Sequence, residues 1–579
     1  MFKRNLRAPL NAAFFCAVIM VGCSKQPLNL DAGGPVCSGP TTPIASVQGD
    51  ATESPMQGQQ VTVQGIVTLL QSGRGLYIEE PESDDNERTS NAVFVQRSNF
   101  AADINEGDRV VVRGTVAELE TGRYPTTAIT AIEDLTQCAR AQALPLTTAS
   151  LPLNGYGREA LEGMRIHMQT ALTVSDVYQF GRGNFTLSGN GLQFVPTEIA
   201  APGPDATEVI ARNRSFALPA MLAEGAKPIS LLVSGTPVES ITGVVAHDER
   251  GQRVALQSIV FTPPAEFAPP QPAAPDALRV VGMNLHNYFN GDGKGQGFPT
   301  PRGAETVDQF QKQRDRIGAA IKALNPHVIT VMELENDGFG ADSAAQDFIR
   351  LANTNTGQNW AVARPTTDNT GDDKITVGIF YRTDVLKATG PAHTLTAPEF
   401  TRSRQPLAQL FEQLPGHEKL LVVVNHLKSK GSCPDSGKDA DQKDGQGCWN
   451  PMRLASAMKM SFWTKSVAAS EGTDNILMLG DMNAYRNEDP IAAIRNAGFT
   501  ELMDGRQEQP YSFVYYGQHG TLDYAFSSQA LLDQNPEAFI WNVNAALPAN
   551  MELPQPWLGF SDHDPVVVDI RLRQSNTSD

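Results

Sequence analysis

Positive charge is in short supply in this sequence. Across 579 residues, 46 Lys and Arg stand against 64 Asp and Glu, a formal net charge of −18. The deficit is evenly spread, −9 over residues 277–579 and −9 over residues 1–276, so no basic domain is concealed in the total. Passive nucleic-acid binders gain affinity by displacing phosphate counterions with Lys and Arg, which excludes tight, static binding of that kind. A turnover enzyme tolerates an acidic body, because a local groove with bound divalent cations still attracts phosphate. Cysteine is also scarce, six in all, and no close Cys/His pairs accompany it, which argues against a zinc site. The apolar run Ala12–Val21 is too short to cross a bilayer comfortably. No internal repeat of solenoid period is present. With 41% hydrophobic and 19% charged residues, bulk disorder is excluded, and the length implies two or three domains.

The N-terminus has the layout of an export signal. Lys3, Arg4 and Arg7 precede the apolar run. It ends in Met20-Val21-Gly22-Cys23, which resembles a bacterial lipobox and implies cleavage before Cys23 with lipid on its thiol. A plain secretory signal with an incidental cysteine is the alternative. Ser24 after the cysteine implies, by the same resemblance, outer-membrane sorting. The expectation is an envelope or extracellular protein that meets the membrane only through its N-terminal lipid. Four cysteines then remain, Cys37, Cys138, Cys433 and Cys448. An even number in an exported chain implies two disulfides. Of three possible pairings, domain order favours Cys37–Cys138 and Cys433–Cys448.

Composition divides the rest. Residues 1–22 read as the signal and 23–55, rich in Pro, Gly, Ser and Thr, as a loose lipid-anchored tether. Over 56–149, period-two alternation broken by glycine predicts antiparallel β structure. The order "QGIV", "GLYIEE", "EGDRVVVRGTV" resembles a small OB-fold barrel. Such barrels often bind single strands or oligosaccharides, yet Tyr77, Phe94, Arg109 and Arg113 are all this one offers; a structural or docking module is the competing reading. Residues 150–262 continue β-rich without a chemical motif. Pro263–Pro275 lies in a proline-rich, semi-rigid linker, 263–276. From 277 to 573, strand-like runs alternate with helical stretches such as Phe310–Leu324 and Met452–Ala468, the pattern of an α/β sandwich.

Six blocks in this last region each end or flank an apolar run with polar side chains. They are Gly282–Asn287, Val331–Asn336, Val424–Lys430, Leu479–Tyr485, Thr521–Ala525 and Phe560–Val566. Phosphodiester hydrolysis needs a hard cation held by carboxylate and amide oxygens. It also needs a base to activate water and a carboxylate to fix that base's tautomer. Glu333 and Asn284 fit the first need, with Asp562 adjacent to the candidate base His563. Asp523 is available to orient His563. Asp481 and Asn483, two apart, share a face of an extended strand end. His426, with Lys428 nearby, suits phosphate contact or protonation of the leaving oxygen.

In this order the six blocks resemble the endonuclease/exonuclease/phosphatase superfamily, with its deoxyribonuclease-I-like fold. The resemblance spans about 277–573 and implies a four-layer sandwich, Mg2+ or Mn2+ with Ca2+ as a structural option, and in-line attack on phosphate. By the matching positions it implies Asn284, Glu333 and Asp562 for metal and His426, Asp481, Asn483, Asp523 and His563 for catalysis. In the block Asp372–Arg382, which of Asp373, Lys374 and Arg382 faces the site stays open. A Leu before the GDxN block and Leu522-Asp523-Tyr524 argue against inositol phosphatases. "MELENDGFG", "NHLKSKGS" and "GDMNAYRNEDP" are similar to the bacterial extracellular nuclease branch, as are Glu162–Arg165 and "RGNFTLSG" in the middle region. That branch implies DNA, or RNA, as substrate and no obligate protein partner. Arg302 and Arg314 are candidate backbone contacts, against a reading as solvated surface charge. The glycine-rich piece 291–297 reads as a phosphate cradle or a flexible turn. A secreted phospholipid phosphodiesterase would share the metal site but needs a membrane-engaging loop, for which Pro554–Leu558 is the lone candidate.

Overall fold

The computed structural model describes residues 35–98, 104–121, 124–153, 155–263, 267–367, 370–505, 507, 509–549 and 551–573. The export signal and Cys23 lie outside them. Five strands, β1 (Gln60–Gln71), β2 (Gly75–Glu79), β3 (Ala92–Gln96), β4 (Arg109–Thr121) and β5 (Tyr124–Ala139), close into a barrel in the order β1-β2-β3-β5-β4. Alternate residues point inward, so Val61, Val63, Val110, Val112 and Ile129 fill it. The tether expectation fails for residues 35–55. A short helix, Ile44–Gln48, buries Ile44 and Val47 in the barrel core, and Cys37–Cys138 ties the segment to β5. Its Pro- and Ser-rich composition masked two apolar anchors.

The next sheet comprises β6 (Thr147–Thr148), β7 (Arg165–Met168), β8 (Leu172–Asp176), β9 (Asn184–Ser188), β10 (Ala217–Leu222), β11 (Pro237–Asp248) and β12 (Gly251–Phe261), ordered β12-β10-β9-β8-β11-β7-β6. It shares a core with the barrel, where Leu69, Tyr77 and Phe94 meet Val244, Ala246 and Ala255. From Phe267 on, the proline-rich linker is docked. Phe267 packs on the C-terminal core, and the Ala268 and Gln271 carbonyls accept from Trp541 and Arg279.

The C-terminal region is a four-layer α/β sandwich. One sheet has β13 (Leu278–Tyr288), β14 (Val328–Glu335), β15 (Trp360–Val362), β16 (Ile375–Arg382), β25 (Glu537–Ile540) and β26 (Val566–Ile570), ordered β15-β16-β14-β13-β26-β25. The other has β17 (Leu386–Thr394), β18 (Leu407–Gln413), β19 (Lys419–His426), β20 (Ile476–Asp481), β21 (Thr500–Glu501) and β24 (Asp523–Ser527), ordered β17-β18-β19-β20-β24-β21. A separate hairpin joins β22 (Phe513–Tyr515) to β23 (Gln518–Gly520). Val280, Ile379, Val422, Leu479 and Val568 pack between the two sheets. Helices Val307–Leu324 and Ala344–Thr356 cover one outer face, and Asn450–Glu471 and Asp489–Asn496 the other. Burial on both faces explains the unbroken apolar runs. Each sheet has a central parallel pair, β13–β14 and β19–β20, flanked by an antiparallel strand. Parallel strands end on the same edge, so Asn284, Glu333, His426 and Asp481 are delivered together; antiparallel β24 and β26 begin there, delivering Asp523 and His563.

Candidate active site

Backbone irregularity marks that edge. The β13–β14 register shifts between Asn284 and Tyr288, and Glu333 takes a left-handed φ of 62°. Such bulges re-aim side chains at strand ends. Asn483 is also left-handed (φ 47°), its backbone N–H donating to Asp481 Oδ1 at 2.8 Å and its amide to the Leu427 carbonyl at 3.1 Å. Gly480 is required by contact, since a Cβ there would sit 2.1 Å from the Asn425 carbonyl oxygen.

The acidic groups converge. Asn284 Nδ2 lies 3.4 Å from Glu333 Oε1 and 3.3 Å from Asp481 Oδ2, so one amide bridges two carboxylates from opposite sheets. Asp481, Asp523 and His563 each present a ligand atom within 4.8 Å of the others. Burial lifts the Asp481 carboxyl to about 7, against the pull of His563 and with help from Asp523. A hard divalent cation fits this set. Two of its three ligand atoms are carboxylate oxygens and the third an imidazole nitrogen, and buried Asp523 Oδ1 has no hydrogen-bond partner among the described residues. The Glu333 carboxylate lies beside them across the Asn284 amide, whose own oxygen accepts from the His286 N–H at 3.0 Å.

His563 is the base candidate. Its Nδ1 lies 2.7 Å from Asp523 Oδ2. Ser512 Oγ accepts from the N–H groups of Leu522 and Asp523, leaving its own hydrogen to donate to Asp523 Oδ2 at 2.7 Å. Burial disfavours the imidazolium, but Asp523, with Asp562 and Asp481 behind it, outweighs that and the pKa moves well up. His426, 3.4 Å from Asp481 Oδ2, goes the other way: burial, then Arg404 and His563, hold it neutral. The following residue, Asp564, fixes the loop by accepting from the Val543, Asn544 and Ala545 N–H groups and the Asn542 amide.

A basic lip lies beside His426. Asp373 bridges Arg302 (3.1 Å) and the nearly buried Arg404 (3.4 Å), so Asp373 is the member of its block that faces the site; Arg382 pairs with Asp384 instead. Lys428 donates to the Ser429 and Gly431 carbonyls and sits 5.3 Å from the Trp449 ring; burial and neighbouring arginines bring its pKa down to about 8.

Two expected site residues are placed elsewhere. Arg314 pairs with Asp347 at 2.9 Å, and Asp347 also accepts from Tyr288. It occupies the same helical stripe as Phe310, Ile317 and Ile321, so it turns inward. Asp562 is 47% exposed, 3.7 Å from His286, outside the carboxylate cluster; with His563 turned in, its neighbour turns out. The piece 291–297 is a turn, with Asp292 accepting from the N–H groups of Lys294 and Gln296. Arg404, Ser512 and Asp373's bridging role carried no motif. A cleft of about 490 Å³ lined by Asn336–Gly340, Thr370 and Gly371 contains none of the acidic residues above.

The rim is braced from the middle sheet. Buried Glu198 accepts from Thr521 N and Oγ1 (3.0 and 3.1 Å) and from Arg486 Nε (3.3 Å). Thr197 Oγ1 donates to Glu488, which also holds Lys430. Neither residue signals this role in sequence.

Among solved structures, the chain is similar to the human Nocturnin catalytic domain with bound sulfate, at 16% identity over 51% of this chain and 95% of that one, TM-score 0.35. It is similar to D. rerio TDP2 complexed with single-strand DNA product (15%, 51% and 98%, TM-score 0.32) and to a Bacteroides thetaiotaomicron mannosyl-6-phosphatase (16%, 50% and 98%, TM-score 0.34). No curated protein matches the sequence. Residues 289–563, which carry five of the six strand-end blocks whole or in part, match the Endonuclease/Exonuclease/phosphatase family, whose members are hydrolytic phosphoesterases that generally depend on divalent metal.

Proposed function

We propose that the chain is an exported, metal-dependent phosphodiesterase that hydrolyses extracellular nucleic acid, DNA before RNA. The observation that carries this reading is the His563–Asp523 pair beside the Glu333 and Asp481 carboxylates, which the Asn284 amide bridges. With Nδ1 engaged by Asp523, the open Nε2 of neutral His563 takes a proton from the attacking water, and Asp523 stabilises the resulting imidazolium. Bound Mg2+ or Mn2+ supplies positive charge to the phosphoryl oxygens. Neutral His426 suits a hydrogen bond to a phosphate oxygen better than acid duty. Arg302, Arg404 and Lys428 supply cations for the substrate backbone. Lipid attachment at Cys23 belongs to this reading, and the two disulfides favour an oxidising compartment. The barrel's strand order supports the OB-fold likeness.

A phospholipid substrate is less well supported. Within Pro554–Leu558, Leu558 is buried and Trp557 packs against Trp541, which leaves little to insert into a bilayer. Purified protein should be assayed on plasmid DNA, RNA and sphingomyelin with Mg2+ and then EDTA, with His563→Ala as the contamination control. Metal-dependent nicking of plasmid, abolished in the variant, is expected; turnover of sphingomyelin alone would overturn the reading.

A further inference from the structure

We propose that the β22–β23 hairpin is a base-stacking platform that engages an unpaired nucleobase beside the scissile phosphate and favours single strands over intact duplex. This rests on the nucleic-acid reading above. Three aromatic rings lead outward from the catalytic histidine. Phe513 lies 4.7 Å from the His563 ring at 33°, Tyr515 is nearly parallel to Phe513 at 6.3 Å and 18°, and Tyr516 lies 4.5 Å from Tyr515. Phe513 and Tyr515, two apart on one strand, share a face. Phe513 is rooted against Val195, Tyr485 and Leu522, while Tyr515 and Tyr516 are 57% and 79% exposed.

The turn itself gives no reason for a ring at its tip, where Tyr516 meets the exposed Tyr515. Tyr515 pairs with Gln518, leaving Tyr516-Gly517 as a two-residue loop with φ of 47° and 72°. Loops with both φ positive favour Asn-Gly, because a bulky side chain is strained there. A tyrosine in that position, turned to solvent, carries a conformational cost that no buried contact repays.

The platform is also rigid. Buried His519 donates its N–H to the Gln193 carbonyl, accepts from Val195 N–H, and lies 3.2 Å from Ser234 Oγ through Nε2. Gly517 packs so closely on Asp176 that a Cβ would lie 2.8 Å from it. The middle sheet therefore holds the hairpin in place before any substrate arrives, which lowers the ordering cost of binding. Stacking suits a chain of net charge −18, since it does not draw on counterion release. Bases within a duplex have both faces covered, so only an unpaired base can use the platform without unstacking.

The test compares cleavage by the full chain, with Mg2+, of a single-stranded oligonucleotide, its duplex, and the same strand carrying abasic residues around the cut. The expected result is a preference in kcat/KM for the base-bearing strand over the abasic one of about fivefold to a hundredfold, by the usual strength of one stacked base. That ratio should collapse toward one in Tyr515→Ala and in Tyr516→Asn. The second variant suits the turn and should melt at or above the wild-type temperature, which separates lost stacking from lost folding. Equal cleavage of base-bearing and abasic strands by the wild type, or an unchanged ratio in both variants, would overturn the platform while leaving the nuclease reading intact. Failure to cleave any strand would instead remove that reading, and the platform with it.

Discussion

The two halves of the molecule divide the work unequally. Residues 278–570 hold every group proposed to touch the reacting phosphate, at the common edge of two sheets. Residues 60–261 hold none, yet Glu198, Thr197 and the 193–195 segment reach the loops that follow Asp481 and precede Asp523. Chemistry is local to the strand ends; the shape of the rim is not.

The strongest way to sharpen that contrast is to cut within each half. Asp523→Asn leaves His563 in place but without its carboxylate, and kcat should fall by about 10²- to 10⁴-fold in steady-state assays. In the other half, Glu198→Ala strips a buried partner from Arg486 and Thr521 and should cost roughly 3–5 kcal/mol in denaturant unfolding. If Glu198→Ala proved as inactive as Asp523→Asn while equally well folded as wild type, the division would be wrong. Next in size, saturating Mg2+ should raise stability by about 3 kcal/mol at a hundred times Kd, read by thermal shift, because it relieves the crowded carboxylates.

Acidity gives a finer probe. The raised His563 pKa means that the imidazolium–Asp523 pair stabilises the fold fully below about pH 6.5 and loses that contribution as pH rises through the folded value. Activity, which needs the neutral ring, should rise over the same limb, and in Asp523→Asn the limb should move to lower pH. The smallest effect is expected for Arg314→Ala: a loss of about 1 kcal/mol in unfolding, because Asp347 loses one hydrogen bond but keeps Tyr288 and Arg350, with KM for DNA little changed.

Much of the C-terminal site was legible because apolar runs stop abruptly at Asn284, Glu333, His426 and Asp481, and parallel strands bring such stops together. The sandwich and both disulfide pairings were legible for similar reasons of pattern and order. Side-chain direction was harder. Arg314 lies on the apolar stripe of its own helix, a signal present in the sequence but outweighed by its charge. Asp562 adjoins His563 in sequence, yet its side chain is 47% exposed and no atom of it joins the Asp481–Asp523–His563 group, because neighbours on an extended segment commonly face apart. Arg404 and Ser512 act through partners some 20 or more and 11 positions away, and no spacing rule encodes that. In the N-terminal half, two apolar residues, Ile44 and Val47, decide that 35–55 is packed, too few to stand out from a loop-like composition.

The claim beneath all of this is that one cation site is assembled from both sheets. Calorimetric titration of Mn2+ into the full chain tests it directly. One ion per chain is expected, bound at least about tenfold more weakly in Glu333→Gln and in Asp481→Asn and unchanged in Asp562→Asn. Affinity untouched by the first two substitutions, or lost only with the third, would contradict it.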